Sequence, residues 1–194
     1  MEECSAKECL CDSTFDGDWF VRIRGEMQMK KALLVMDMQE AVVGERHDAF
    51  FRYDSELLTK VNSVISETDA ETVVYIRNLM KNSFLSQFAP VKIFDGMPEA
   101  ELAKNLLQVS PNVFSKYKGD AFSNQEFRLF LKSSQIDTVE LIGADGGGCV
   151  SLTALGACKN GYKVIINTEA IGTMYIQKRD QYYEKLKKLG AVFI

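Results

Sequence analysis

Residues 138–149 read TVELIGADGGGC, an apolar run that ends in a glycine-rich turn and opens into a helical pattern. A short, nearly unbroken apolar run is typical of a parallel strand buried on both faces. Comparable runs occur at 32–36, 72–76, 112–115, 163–166 and 191–194. Helical patterns open near residues 54, 98, 124, 149 and 174. This alternation predicts an α/β fold with three α/β/α layers and a doubly wound, mostly parallel six-stranded sheet of the Rossmann-like kind.

Composition and charge indicate one globular domain preceded by an extension. The chain has 194 residues, of which 46% are hydrophobic and 26% charged, and these values exclude the disordered, collagenous and coiled-coil classes. Residues 1–28 hold seven acidic and three basic side chains, so they carry the whole formal charge of −4. We predict an N-terminal extension over residues 1–28, flexible or arising from an upstream start site, and a neutral folded domain over residues 29–194.

The same counts bear on partners and location. With 23 basic against 27 acidic residues there is no basic excess, so neither nucleic acid nor a membrane is an expected partner. No apolar run approaches the roughly 18 residues of a membrane helix, and the N-terminus lacks the apolar core of a secretory signal. We therefore expect a cytoplasmic protein with reduced cysteines. Three of the five, Cys4, Cys9 and Cys11, are poorly spaced for zinc.

Three reactive groups follow the predicted strands. Asp37 ends the first apolar run, Lys116 ends the third, and Cys149 follows the glycine-rich turn after the fourth. Because the carboxyl ends of parallel strands lie at one edge of a sheet, we expect a carboxylate, an ammonium and a thiol to meet there. Such a set can supply a base, an orienting charge and a nucleophile. Cys158, on the same predicted helix as Cys149, is expected to be a packing residue.

The glycine-rich turn does not match the common phosphate-binding motifs. GADGGG lacks the G-x-G-x-x-G spacing, no Gly-Lys-Ser/Thr follows it, and it comes after the fourth strand rather than the first. We therefore expect no dinucleotide and no other cofactor. Glycines at this point let the backbone approach a ligand and turn its N–H groups inward. Cys149 would stand in the first helical turn, where the helix dipole favours the thiolate.

Three segments resemble the signatures of the isochorismatase-like cysteine hydrolases, a family that includes nicotinamidases and related amidohydrolases. They are KALLVMDMQ (31–39), SKYKGDAF (115–122) and GADGGGCVSLTALGACKNGYKV (143–164), in the family's order and at the expected strand ends. The resemblance extends from about residue 30 to the C-terminus. It implies a hydrolase of the same fold that acts on a small-molecule substrate and forms a homo-oligomer.

The resemblance also implies a catalytic triad. Asp37 would be the general base, Cys149 the nucleophile and Lys116 the third member, with Lys118 as an alternative that fits the motif less well. Asp37 would take the thiol proton, the thiolate would attack a carbonyl, and water would hydrolyse the thioester. Isochorismatases proper cleave a vinyl ether and lack the cysteine, so Cys149 favours an amide-type C–N bond of a small metabolite.

The residues around the triad follow from the same resemblance. It implies a cis peptide bond at Ala144–Asp145 and an oxyanion hole made by the backbone amides of Asp145 and Cys149. The implied oxyanion and substrate-binding set comprises Ala144, Asp145, Gln39 and Phe122. Two places depart from the family pattern: Asp120 stands where serine is usual, and Gly146 and Gly147 replace a commoner Thr-Asp pair.

Metal binding and two alternative functions complete the expectations. Nicotinamidases of the family bind a metal through an aspartate and more than one histidine, whereas this chain has only His47, so no metal is expected. One alternative is an isochorismatase-like hydrolase of another bond type, such as a vinyl ether or an N-carbamoyl group. The other is a non-catalytic ligand-binding or redox-sensing module in which Cys149 is oxidised. The pocket is expected to be lined by loops 40–53 and 78–98.

Overall fold

The computed structural model describes residues 30–89 and 91–194, so the extension predicted for residues 1–28 lies outside the described residues. The strands form one sheet and are β1 (Lys31–Met36), β2 (Thr72–Asn78), β3 (Val113–Lys116), β4 (Thr138–Ala144), β5 (Lys163–Gly172) and β6 (Val192–Phe193). Their order is β3-β2-β1-β4-β5-β6, and every neighbouring pair is parallel. The predicted doubly wound, six-stranded parallel sheet is confirmed.

Helices cover both faces of the sheet. They are α1 (Glu40–Val43), α2 (Leu57–Glu67), α3 (Gln125–Ser133), α4 (Cys149–Lys159) and α5 (Ile176–Lys188). Because successive strand residues point to opposite faces, Leu33 and Val35 pack with α2 in one core cluster, while Leu34 and Met36 pack with α3, α4 and α5 in the other. Within the described ranges, no helix is long and apolar enough to span a membrane.

The strand order reverses at β1, which has β2 on one side and β4 on the other. In open parallel sheets a crevice forms outside the carboxyl ends of the strands at such a reversal, and ligands bind there. Asp37 directly follows β1, and Asp145 directly follows β4. The fold therefore brings the residues after these two strands to the ligand-binding edge.

The helix predicted to open at residue 98 is wrong. In its place the chain makes one 3-10 turn, Pro98–Ala100, which is followed by an extended residue, Glu101. The reason is that the following backbone pairs with the segment after β1 rather than with itself. The Glu101 carbonyl accepts a hydrogen bond from the N–H of Glu40, and the N–H of Ala103 donates to the carbonyl of Met38. The connection between β2 and β3 is therefore irregular.

β5 is longer than the run predicted at 163–166. It continues to Gly172, and its register against β4 shifts between Leu141 and Gly143. Beyond the shift, Gly172 pairs with Ala144 at the end of β4. The segment that follows β5 is therefore delivered to the same sheet edge as the glycine-rich turn.

Gly143 allows β1 and β4 to approach closely at this edge. Its φ is +104°, and a Cβ atom built there would overlap the backbone carbonyl of Met36. No other residue type fits without displacing β1. The close approach holds Asp37, which follows Met36, beside the turn that follows β4.

We predict that Gly143→Ala lowers the free energy of unfolding by at least about 3 kcal/mol, because the added methyl group adds a backbone clash to an unfavourable φ. Gly161→Ala is the matched control, since Gly161 has a φ of +83° but nothing lies within 4 Å of its built Cβ. Conformational strain alone should cost that variant about 1 kcal/mol. Urea unfolding measures both losses, and equal losses would contradict the packing argument.

Candidate active site

The carboxylate, the ammonium and the thiol predicted at the sheet edge are in contact. Lys116 Nζ lies 2.9 Å from Asp37 Oδ2 and 3.1 Å from Cys149 Sγ. Asp37 follows β1, Lys116 ends β3, and Cys149 is the first residue of α4. Lys118, the alternative to Lys116, is exposed. The structure thus brings together the three side chains that the sequence singled out.

Lys116 is the most deeply placed of the three, with 1% of its surface exposed. Burial by itself lowers the pKa of an ammonium, but the charge of Asp37, the hydrogen bonds to Asp37 and Cys149, and interaction with the sulfur outweigh it, so the pKa of Lys116 is raised. Lys116 therefore stays protonated. It provides a fixed positive charge between the carboxylate and the sulfur.

One carboxylate oxygen of Asp37 accepts a hydrogen bond, and the other accepts none from the described residues. Oδ2 accepts the hydrogen bond from Lys116, whereas Oδ1 is buried and has no hydrogen-bond partner among the described residues. Buried acceptors without a donor are uncommon in folded proteins. The backbone of Asp37 also adopts a φ of +54°, in the left-handed region that non-glycine residues rarely occupy. Asp37 thus combines an uncommon backbone conformation with an unpartnered buried oxygen.

At Cys149 burial acts against the helix dipole that is expected to favour the thiolate. Burial, followed by the negative charge of Asp37, raises the pKa of the Cys149 thiol to about 12. The ammonium of Lys116 acts in the opposite direction but does not compensate. The raised pKa therefore favours the protonated thiol at Cys149 over the thiolate.

The turn after β4 is held rigidly through the side chain of Asp145. The peptide bond Ala144–Asp145 is cis, as the sequence resemblance implies. The Asp145 carboxylate accepts hydrogen bonds from the Tyr53 hydroxyl at 3.2 Å, from the Met174 amide at 2.8 Å and from the Gly147 amide. Asp145 therefore fastens three chain segments to one another at the edge of the site.

Two backbone N–H groups of this turn are free to bind a ligand. The amides of Gly148 and Val150 donate to the Asp145 carbonyl, and the amide of Gly147 donates to the Asp145 carboxylate. The N–H groups of Asp145 and Cys149 have no acceptor among the described residues. These are the two amides that the resemblance implies for an oxyanion hole.

A cavity of about 230 Å³ opens next to Cys149. Its lining comprises Asp37, Gln39, Val42, Phe51, Tyr53, Asn78, Ile93, Ala144, Asp145, Gly147, Gly148, Cys149, Met174, Tyr175 and Lys178. Pockets for drug-sized ligands usually measure roughly 300–1,000 Å³. The cavity therefore suits a smaller molecule, one of whose atoms can reach the sulfur.

Besides the ends of β1 and β4 and the glycine-rich turn, three segments line the cavity, and the sequence predicted two of them. Loops 40–53 and 78–98 contribute as expected, through residues such as Tyr53 and Ile93. The third segment, at 174–178, was missed because the predicted strand β5 stopped too early. Residues that follow strand ends are expected to line the site. With β5 ending at Gly172, this rule identifies the segment 174–178.

Gln39 and Phe122 differ in their relation to the cavity. Gln39 reaches the lining, but it is fully buried, and its side-chain amide is bonded to backbone groups of Asn78 and Ala100. Phe122 is not part of the lining; it packs in the core against Phe127 and Tyr162. Gln39 therefore lies at the site, where its side chain connects two loops by hydrogen bonds. Phe122 does not lie at the site.

The histidine-containing metal site of the nicotinamidases does not fit this chain. His47 is exposed, its Nε2 lies 2.6 Å from the carbonyl of Phe51, and it is absent from the lining of the cavity. Among residues 30–89 and 91–194, no group of three or more His, Cys, Asp or Glu side chains is arranged to hold a metal ion. Cys4, Cys9 and Cys11 lie outside the described residues.

Sequence comparison links the chain to known enzymes. A family model described as the isochorismatase domain matches residues 31–194. An N-carbamoylsarcosine amidase from Arthrobacter sp. is 40% identical over 60 residues, which make up 31% of this chain and 23% of that protein. The matched segment thus spans less than a quarter of that relative, whereas the family model covers nearly all of the described residues.

Solved structures share the fold. An isochorismatase-like hydrolase from Alkaliphilus metalliredigens matches with a TM-score of 0.72 at 22% identity, over 85% of this chain and 93% of that one. An N-carbamoylsarcosine amidase from Thermoplasma acidophilum gives 0.70 at 23% identity, over 85% and 95%. A nicotinamidase from Bacillus subtilis gives 0.67 at 22% identity, over 85% and 99%. At such identities these likenesses establish the architecture alone.

The electrostatics of the three contacting side chains predict opposite effects of two substitutions on the thiol. Asp37→Asn should speed the alkylation of Cys149 by iodoacetamide at pH 8 about tenfold or more, because loss of the carboxylate charge lowers the thiol pKa. Lys116→Met should slow it, because loss of the ammonium raises that pKa. Peptide mass mapping measures the adduct, with Cys158 as the internal reference.

Lys118→Met is the matched control for the lysine substitution, because Lys118 is exposed and lies two residues away. It should leave the alkylation rate of Cys149 unchanged. Slower alkylation in Asp37→Asn would show that the carboxylate does not hold the thiol in its protonated form.

Proposed function

This chain belongs to the isochorismatase family of hydrolases, and from that premise we propose that it cleaves an amide-type C–N bond of a small metabolite through a thioester on Cys149. Asp37 is the base and Lys116 the charge partner in this proposal. The observation that carries it is the contact of one buried ammonium with both a carboxylate and a thiol. Relatives named N-carbamoylsarcosine amidase and nicotinamidase support the choice of bond.

The first step is a proton transfer from Cys149 to Asp37. Before the transfer the negative charge lies on the carboxylate, and after it on the sulfur. Lys116 is within hydrogen-bond distance of both, so the ammonium faces the negative charge in either state, and the net charge of the buried set stays constant. The unpartnered Oδ1 of Asp37 is the atom that can receive the proton. This proton transfer forms the thiolate only in the reactive state.

The thiolate then attacks the substrate carbonyl. The carbonyl oxygen gains negative charge, and the free N–H groups of Asp145 and Cys149 are the donors that can stabilise it. In other acyl-transfer enzymes each such donor contributes about 3–4 kcal/mol to lowering the barrier. Their preorganisation rests on the turn that the Asp145 carboxylate holds in place.

Collapse of the tetrahedral intermediate breaks the C–N bond. The amine leaves with the proton that Asp37 took from the thiol, which restores the carboxylate and leaves an acyl group on Cys149. Asp37 next takes a proton from water as the water attacks the thioester. The acid product departs, and Cys149 regains its proton. Asp37 thus serves as base twice and as acid twice in one turnover.

The remaining properties that we propose follow the family and the composition. The reaction as written draws only on residues of the chain and water, in keeping with the expected absence of a cofactor. Cys149 and Cys158 are free thiols, which supports a cytoplasmic location. A homo-oligomer is proposed from family resemblance.

We predict that Cys149→Ala, Asp37→Asn and Lys116→Met each reduce ammonia release from the best of a panel of small amides by at least about 10³-fold, because members of a catalytic set act as a unit. Cys158→Ala and Lys118→Met are the matched controls and should retain activity. Acid-quenched intact mass should show an acyl adduct in the wild type that is absent in Cys149→Ala.

Amide hydrolysis that survives Cys149→Ala would exclude the thioester route. Turnover of a vinyl ether without amide hydrolysis would instead favour a hydrolase of another bond type on the same fold. Reversible oxidation of Cys149 without turnover of any panel member would favour a redox-sensing module.

A further inference from the structure

Lys178 stands at the rim of the cavity beside Cys149, in the first turn of α5. Its side chain is exposed, and Nζ lies 5.8 Å from the ring centre of Tyr175, which also lines the cavity. Within the described part of the chain, the ammonium makes no ion pair and no hydrogen bond. The entrance of the cavity therefore carries a positive charge without a counter-charge.

The dipole of α5 does not favour a lysine at this position. A cation near a helix N-terminus opposes the helix dipole, at a cost of about 0.3–1 kcal/mol. The first turn of α5 contains no acidic residue to offset it, and Tyr175 at the N-cap makes no side-chain cap. The other lysines near the C-terminus of the helix, Lys185, Lys187 and Lys188, lie where the dipole favours a cation. Lys178 is thus placed against the preference of its own helix.

The other charged groups of the cavity lining are already engaged. The Asp37 carboxylate is bonded to Lys116, and the Asp145 carboxylate accepts three hydrogen bonds. Much of the remaining lining is apolar, including Val42, Phe51, Ile93 and Met174. Among the described residues, Lys178 is therefore the lining group whose charge is available to a ligand.

We propose that Lys178 is a substrate-binding residue for a carboxylate, so that the preferred substrates are small amides with an anionic group remote from the scissile bond. The inference rests on the proposed function and names its substrate class. A carboxylate at the rim would meet the ammonium where apolar walls exclude part of the solvent, which strengthens the pair relative to an open surface. The set of Asp37, Lys116 and Cys149 is net neutral, whereas the Asp145 carboxylate also lines the cavity and disfavours a second anion beside it. The substrate carboxylate is therefore placed at the rim, at Lys178.

The first test measures binding and needs no turnover. Malonate, succinate and glutarate serve as probes, and binding is scored by protection of Cys149 from iodoacetamide, with Cys158 as reference. We expect at least one diacid to protect with a Kd of about 1 mM or below. Lys178→Met should weaken that Kd at least about fivefold, while Lys178→Arg, which keeps the charge, should largely retain it.

Lys185→Met is the matched control. Lys185 lies on the same helix with its Nζ 5.6 Å from the ring centre of Tyr182, in the same arrangement as Lys178 and Tyr175, but it is not part of the cavity lining. The substitution should leave the Kd unchanged. An equal loss in both variants would mean that general surface charge, not a site, attracts the diacid, and would overturn the proposal.

The second test compares succinamate with succinamide, which differ in having a carboxylate or a neutral amide at the far end. We expect kcat/KM of the wild type to favour succinamate at least about tenfold, and Lys178→Met to bring the ratio close to one. If neither amide releases ammonia, the result counts against the proposed hydrolysis. The protection of Cys149 by diacids still decides the role of Lys178. If no diacid protects Cys149, or if Lys178→Met is protected equally well, the proposed carboxylate site is overturned. Activity on succinamide would still support the proposed hydrolysis in that case.

Discussion

The buried ammonium of Lys116 is the group on which the arrangement of the site depends. An ammonium removed from water without a partner is strongly destabilising, so its burial is tolerated only when its acceptors are in place. Lys116 pairs in register with Asn78 of β2, and β2 separates β3 from β1. With strands about 4.8 Å apart, a long side chain is required to cross β2 and reach the carboxylate of Asp37. The order of the strands, the position of β3 at the edge of the sheet and the contacts of Lys116 with Asp37 and Cys149 therefore depend on one another.

The same constraint explains why the site can be both stable and reactive. A permanent thiolate would add a second negative charge beside Asp37, and the raised pKa of Cys149 reflects that repulsion together with burial. Keeping the sulfur protonated leaves one ammonium facing one carboxylate, which is the least costly buried arrangement of these groups. In the proposed mechanism the reactive state differs only in the position of a proton. Stability and the proposed catalysis thus make compatible demands on Lys116.

A feature could be predicted from the sequence when the residues next to it in the chain determine it. Asp37, Lys116 and Cys149 each end or follow an apolar run, so strand patterns alone place them at one sheet edge. The failures occur where tertiary contacts override the local pattern. The helix expected at residue 98 gives way to pairing with the segment after β1. β5 passes through residues 167–170, which have no partner in β4, and pairs with β4 again from Ile171. Phe122 belongs to a family motif, but its side chain faces the core. The pKa of Cys149 depends on burial, which no motif reports.

The two departures from the family pattern have different consequences in the fold. Asp120 accepts a hydrogen bond from the amide of Phe122 at 2.8 Å and packs against Gly156, so it caps a 3-10 turn away from the cavity lining. Its replacement of serine therefore acts on local structure and leaves the cavity lining untouched.

The glycine pair, by contrast, shapes the cavity. A Cβ built on Gly146 would overlap the Thr173 hydroxyl, and one built on Gly147 would lie 2.7 Å from the carbonyl of Tyr175. The segment after β5 can approach the turn this closely only because both positions lack side chains. A Thr-Asp pair would displace that segment and, with it, the helix that begins at Ile176 and carries Lys178. The two glycines therefore permit the close approach that places the start of this helix, and Lys178 with it, at the rim of the cavity.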